Sequence, residues 1–182
     1  MRRFKGMLLL AVALLAACAT SPTGRRQLML VSEQQAISSS KQAYLSEMKR
    51  LDEEGKLSTD IKTNARVREI TGRLVAQAII MRPDTKDWEW SVEVIDEPET
   101  VNAWCMAGGR MAIYTGLIAK TEATDDEIAQ VMGHEIAHAL ANHTAERMSM
   151  AIAAQAGIVA VAVTIQDARY TAAAASAAML AL

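Results

Sequence analysis

Two of the three histidines in this chain stand four residues apart, and a glutamate directly follows the first of them. In a helix, His134 and His138 would project from the same face, one turn apart. Two imidazole nitrogens suit one zinc ion, and the carboxylate of Glu135 can accept a proton from the water of a metal-assisted hydrolysis. The pattern predicts His134 and His138 as ligands of one Zn²⁺ per chain, and Glu135 as the general base.

The residues before this pair indicate where the helix begins. Thr124, followed three residues later by Glu127, is a capping box, and acidic residues at 125–127 suit the positive end of a helix dipole. Apolar residues then recur at helical spacing, which gives the helix one side to bury. An amphipathic helix with merely packed or exposed histidines is the alternative, and the coincidence of motif, cap and apolar face disfavours it.

A catalytic zinc site normally has three protein ligands, and the sequence does not identify the third. His143 lacks the spacing of the long metzincin motif, and if the helix continues, its side chain points away from that of His134. We therefore interpret His143 as a polar surface or helix-end histidine. Glu146 lies about two turns beyond His138 and could return only through a sharp bend, and no motif supports Asp167.

The N-terminal residues predict where in the cell the protein is located. A basic start and a short apolar stretch end in the sequence LAAC at 15–18, which resembles a bacterial lipobox. We expect 1–17 to be a signal peptide, Cys18 to be lipidated, and 18–31 to be a tether at the membrane. Ala19 after the cysteine favours the outer membrane, on its periplasmic side. An ordinary signal peptide is the alternative.

The remaining chain, 32–182, predicts one α+β domain that is predominantly helical and zincin-like, with a small sheet. Apolar residues at helical spacing predict two helices before the metal helix, at 32–55 and 60–81. Alternating apolar and polar residues and turn signals then predict three extended segments, at 88–95, 100–105 and 110–114. The Ala-rich stretch 151–165 is short for a membrane span, so we expect a buried helix there. A transmembrane hairpin and close apposition to the bilayer are the alternatives.

Composition and cysteine count limit the classes of function. The formal net charge of −2 shows no basic excess, so we expect no nucleic-acid partner. If Cys18 is acylated, Cys105 has no partner within the chain, and we interpret it as a small buried residue without a disulfide. A cysteine protease would need a histidine beside Cys105, and the histidines serve better as metal ligands.

Several separated segments together resemble one known family. The lipobox, PTGRRQL at 22–28, NAWCMAGG at 102–109 and the metal helix look like the periplasmic lipoprotein branch of the HtpX/CAAX-protease-type zinc metallopeptidases. This resemblance implies a gluzincin, in which His134 and His138 bind zinc, Glu135 is the base, and a glutamate from a later helix is the third ligand. The chain ends before such a segment, so we expect a truncated domain.

The resemblance also implies how a substrate binds. The strand 110–114 would be the sheet edge along which an extended polypeptide pairs, and its predicted contacts are Gly109, Arg110, Met111, Ala112 and Ile113. Misfolded envelope proteins are the substrates that the family implies. Two functions stay open: a membrane-anchored zinc metalloendopeptidase, and an inactive homologue, lacking the third ligand, that acts as a chaperone-like or scaffold lipoprotein.

Overall fold

The computed structural model of the chain describes residues 18–20 and 24–165. The predicted signal peptide, 1–17, and Asp167 lie outside the described residues. The described chain divides into two compact units. The larger is Glu33–Thr144, and the smaller comprises the described residues before and after it.

Two long helices open the larger unit. Helix α1 is Glu33–Glu53, and Gly55 after it has a φ of 66°, the left-handed conformation in which glycine commonly ends a helix. Helix α2 is Ile61–Met81, and the carboxylate of its N-cap Asp60 accepts a hydrogen bond from the backbone N–H of Lys62. A short 3₁₀ helix then leads to the sheet. Both predicted helices are confirmed to within a few residues.

The sheet of the larger unit contains three strands. Strand β3 is Ser91–Ile95, β4 is Ala103–Cys105 and β5 is Arg110–Tyr114. Strand β5 pairs in parallel with β3 on one side and antiparallel with β4 on the other. The last strand in sequence is therefore the central strand of the sheet.

This strand order contradicts the predicted substrate edge. The prediction placed that edge at five residues, and it is wrong because both hydrogen-bonding sides of β5 are already occupied. All five residues are also buried. They are Gly109, Arg110, Met111, Ala112 and Ile113.

A short helix, α3 (Thr115–Lys120), leads into the predicted metal helix, α4, at Asp125–Leu140. The predicted capping box is confirmed: the Thr124 hydroxyl accepts a hydrogen bond from the Glu127 backbone N–H, and the Glu127 carboxylate accepts one from the Thr124 backbone N–H. The apolar side of α4 packs against α2 and β4. The result is the expected predominantly helical α+β domain, whose core includes Val67, Ile70, Met111, Ile113, Ile128, Met132 and Ile136.

The smaller unit contains a hairpin and a helix. Strands β1 (Cys18–Thr20) and β2 (Arg26–Leu28) pair antiparallel, so the range predicted as a tether holds a short hairpin. Helix α5 runs from His143 to Ile165 and contributes most of its length to this unit. The backbone N–H of Val31 donates to the buried Ser149 hydroxyl at 2.9 Å, which joins the segment after β2 to α5.

The predicted burial of the last helix is wrong for residues 151–157. They are exposed or only partly buried, and Ile152 is 49% exposed, because the described residues of this unit do not cover their apolar side chains. No helix in the described part of the chain is both long enough and apolar enough to cross a bilayer.

Two helical glycines give opposite expectations for the same substitution. A Cβ at Gly116 in α3 would lie 2.3 Å from the backbone oxygen of Thr100, whereas one at Gly72 in α2 would meet nothing within 4 Å. Gly116→Ala should lower the free energy of unfolding by about 1–3 kcal/mol, because the backbone must move. Gly72→Ala should raise it by about 0.5–1 kcal/mol, because alanine loses less backbone entropy in a helix.

Urea denaturation of the two alanine variants measures both changes. Gly72→Ala is the matched control for the substitution itself. A Gly116→Ala variant as stable as the parent protein would contradict the close approach of the segment before β4 to α3.

Candidate metal centre

Helix α4 presents the predicted histidine pair on one side, near its C-terminal end. Nε2 of His134 lies 3.0 Å from Nε2 of His138, and the two rings are nearly perpendicular, with centroids 4.5 Å apart. Two nitrogens bound to one tetrahedral zinc at the usual bond length are about 3.3 Å apart. His134 is exposed and His138 is partly buried, so an ion can reach the pair from solvent. This donor pair fits zinc.

The general base candidate, Glu135, lies on α4 beside a strand of the sheet. It is partly buried, and its charge acts on the thiol of Cys105 in β4. Burial first, and then the charge of Glu135, raises the pKa of Cys105 to about 12. The thiol is therefore protonated at neutral pH, which makes Cys105 a poor nucleophile and disfavours the cysteine-protease interpretation.

The third metal ligand is not identified in the described part of the chain. Among those residues, no group of three or more His, Cys, Asp or Glu side chains is arranged to hold a metal ion. In the smaller unit, the carboxylate of Glu146 accepts hydrogen bonds from Arg25 at 2.8 Å and from Gln27 at 3.1 Å. Its charge is thus engaged by a guanidinium and an amide within that unit.

His143 stands at a helix end, as predicted, and lies on α5 rather than on a continuation of α4. Helix α4 ends at Leu140, Asn142 has a φ of 59°, and α5 begins at His143. Nδ1 of His143 is consequently 2.5 Å from Nδ1 of His138. The orientation away from His134 depended on an unbroken helix, and the chain does not meet that condition because one helix ends at Leu140 and the next begins at His143. Asn142 was a readable signal of the break, because asparagine tolerates the left-handed conformation better than most residues.

Strand β4 is the edge of the sheet beside the metal helix, and no pattern in the sequence marks it as an edge. The Tyr114 backbone N–H donates to the carbonyl of Asn102, and the Met106 N–H donates to the carbonyl of Arg110. Antiparallel pairs alternate, so the N–H and carbonyl of Cys105 point away from β5. Within the described residues, no strand pairs with that side of β4.

Several known proteases are similar to parts of this chain. The mitochondrial metalloendopeptidase OMA1 of Arabidopsis thaliana is 46% identical over 57 residues, which is 31% of this chain and 11% of that protein. OMA1 of Homo sapiens is 30% identical over 129 residues, 70% of this chain and 24% of the relative. The metalloprotease YcaL of Escherichia coli is 38% identical over 64 residues, 35% of this chain and 24% of the relative. These matches span a tenth to a quarter of each relative's length.

A broader match gives the family. Residues 61–182 match the family described as Peptidase family M48. The matched range is more than half of the chain and includes α2, the three-stranded sheet and all of α4 with His134, Glu135 and His138. The metallopeptidase family expected from the sequence motifs is therefore confirmed, and this chain belongs to peptidase family M48.

Proposed function

We propose that this protein is a zinc-dependent metalloendopeptidase whose ion is held by His134 and His138. The observation that carries the proposal is the convergence of the two Nε2 atoms, 3.0 Å apart, on a helix in which Glu135 directly follows His134. The names of the similar proteins, which include metalloendopeptidases and a metalloprotease, support the same chemistry. The proposal requires a third protein ligand, which the described residues do not identify.

The chemistry assigns Glu135 two proton transfers. When bound, zinc supplies a Lewis acid that activates water and polarises a peptide carbonyl. Glu135 accepts a proton as that water attacks the carbonyl carbon. The protonated carboxyl of Glu135 then delivers the proton to the departing nitrogen, which makes the amine a better leaving group.

The polypeptide substrate pairs with β4 in this proposal. The outward N–H and carbonyl of Cys105 offer two hydrogen bonds to an extended chain, and Glu135 acts on the same residue electrostatically. A substrate strand along this edge would therefore run close to the general base. Backbone pairing selects for extended, unfolded segments more than for one side chain, which suits misfolded proteins as substrates.

Replacing Glu135 tests the catalytic assignment. Glu135→Gln should lower the rate of cleavage of an unfolded protein such as casein by at least about 100-fold, because the amide cannot accept the proton. The same variant should keep its zinc, whereas His134→Ala should lose it, as measured by metal analysis after dialysis. Asp126→Asn, an exposed position in the first turn of the same helix, is the matched control.

The outcomes separate the two functions left open by the sequence. Full cleavage by Glu135→Gln would overturn the role of this residue. A parent protein that folds and yet neither binds zinc nor cleaves casein would favour the inactive chaperone-like or scaffold lipoprotein.

Substrate pairing with β4 has its own test. Peptide substrates N-methylated at single successive residues should lose kcat/KM at alternate positions, because every second N–H of a paired strand faces its neighbour. Each affected position should lose about 2- to 12-fold, the equivalent of one hydrogen bond. A uniform loss at all positions, or none, would contradict strand pairing.

We also propose that the protein is a lipoprotein anchored to the outer membrane, on the periplasmic side, where it acts on misfolded envelope proteins. The lipobox that ends at Cys18 supports the anchor, and Ala19 supports the location. In bacteria that are fed radioactive palmitate, the parent protein should be labelled and Cys18→Ser should not be. Cys105→Ser is the matched control and should keep the label. Equal labelling of the parent and Cys18→Ser would exclude this anchor.

A further inference from the structure

His143 lies on the side of the His138 ring opposite the atom assigned to the metal. Its Nδ1 is 2.5 Å from Nδ1 of His138, and the ring centroids are 4.7 Å apart with an angle of 51° between the planes. Nε2 of His138 lies beside Nε2 of His134. The two nitrogens of His138 thus have separate neighbours, one for binding an ion and one for holding the ring.

The chemistry of imidazole decides the direction of this hydrogen bond. A neutral histidine that binds a metal through Nε2 uses the lone pair of that atom, so its proton is on Nδ1. Nδ1 of His138 must then donate, and Nδ1 of His143 must accept with its own proton on Nε2. Metal-binding histidines commonly depend on such a partner, because it orients the ring and makes the ligand more basic.

A polar cluster holds the turn that brings His143 to this position. The Arg82 guanidinium donates to the carbonyl of Leu140, the last residue of α4, at 2.8 Å. It also donates to the carboxylate of Glu33 at 2.5 Å, and the side-chain amide of Asn142 donates to the same carboxylate at 3.3 Å. The Arg82 side chain is only 15% exposed, so solvent competes weakly for these bonds. The left-handed turn at Asn142 is therefore held from both sides.

We propose that His143 is a positioning residue that accepts a hydrogen bond from Nδ1 of His138 and so sets the tautomer and orientation of that ligand. The proposal rests on the proposed metal site at His134 and His138. It assigns His143 no contact with the substrate or with the ion.

Zinc titration of three variants tests this role. His143→Ala removes the acceptor and should weaken Zn²⁺ affinity, measured by chelator competition, by about 10- to 100-fold. His143→Asn keeps an acceptor at the position of Nδ1 and should recover most of the loss. Thr144→Ala, the neighbouring residue, is the matched control and should bind like the parent. Circular dichroism verifies the fold, and His143→Leu replaces the alanine variant if that variant unfolds.

A second readout reports the proton itself. In ¹⁵N-labelled protein with one equivalent of Zn²⁺, long-range proton–nitrogen spectra should show a slowly exchanging proton on Nδ1 of His138. That signal should be lost in His143→Ala and retained in His143→Asn. Parent affinity in His143→Ala, or equal losses in the alanine and asparagine variants, would overturn the positioning role. If the parent protein binds no zinc, or His134→Ala binds as tightly as the parent, the proposed metal site itself fails.

Discussion

The packing of one side of α4 into the core is the constraint on which the site depends. Ile128, Met132 and Ile136 are at most 3% exposed and follow one another at intervals of four residues. His134 and His138 are also four residues apart, but each follows a residue of the apolar row by two positions, which places it roughly 200° around the helix from that row. Burial of the apolar row therefore turns the histidines outward. Both rows belong to one helix, so a shift of that helix by one residue would turn the histidines together with the apolar row. The packing of the apolar row in the core therefore also sets the direction in which the metal site faces.

The end of α4 is as consequential as its packing. An unbroken helix would carry His143 away from the pair, and the chain instead turns at Asn142 after Leu140. The Arg82 guanidinium donates a hydrogen bond to the carbonyl of Leu140, and its positive charge offsets part of the negative end of the helix dipole. The helix can therefore end there at little energetic cost. Arg82 comes from the end of α2, some sixty residues earlier. A contact between distant segments thus decides what lies beside His138.

The sheet shows that a strand can be predicted with the right bounds and still be assigned the wrong place in the strand order. The strand at 110–114 is present with the predicted bounds, but β3 takes one of its sides in parallel and β4 takes the other. The edges of the sheet are therefore β3 and β4, and β4, the edge that packs against α4, contains only three residues. Cys105 lies in that strand within reach of the charge of Glu135. Burial raises the pKa of its thiol, and the negative charge of Glu135 raises it further because it disfavours the thiolate.

The sequence alone was enough to determine the local features: the capped helix with His134, Glu135 and His138, the helix at 61–81, the strand at 110–114 and the M48 family. Caps, periodicity and motif spacing act between residues a few positions apart, so they can be read from the amino-acid sequence. Only the tertiary structure decided that β4, and not the strand at 110–114, lies at an edge of the sheet, and that His143 lies against His138. Both depend on contacts between segments far apart in sequence, such as Arg82 with Leu140, whose free energy no local pattern encodes.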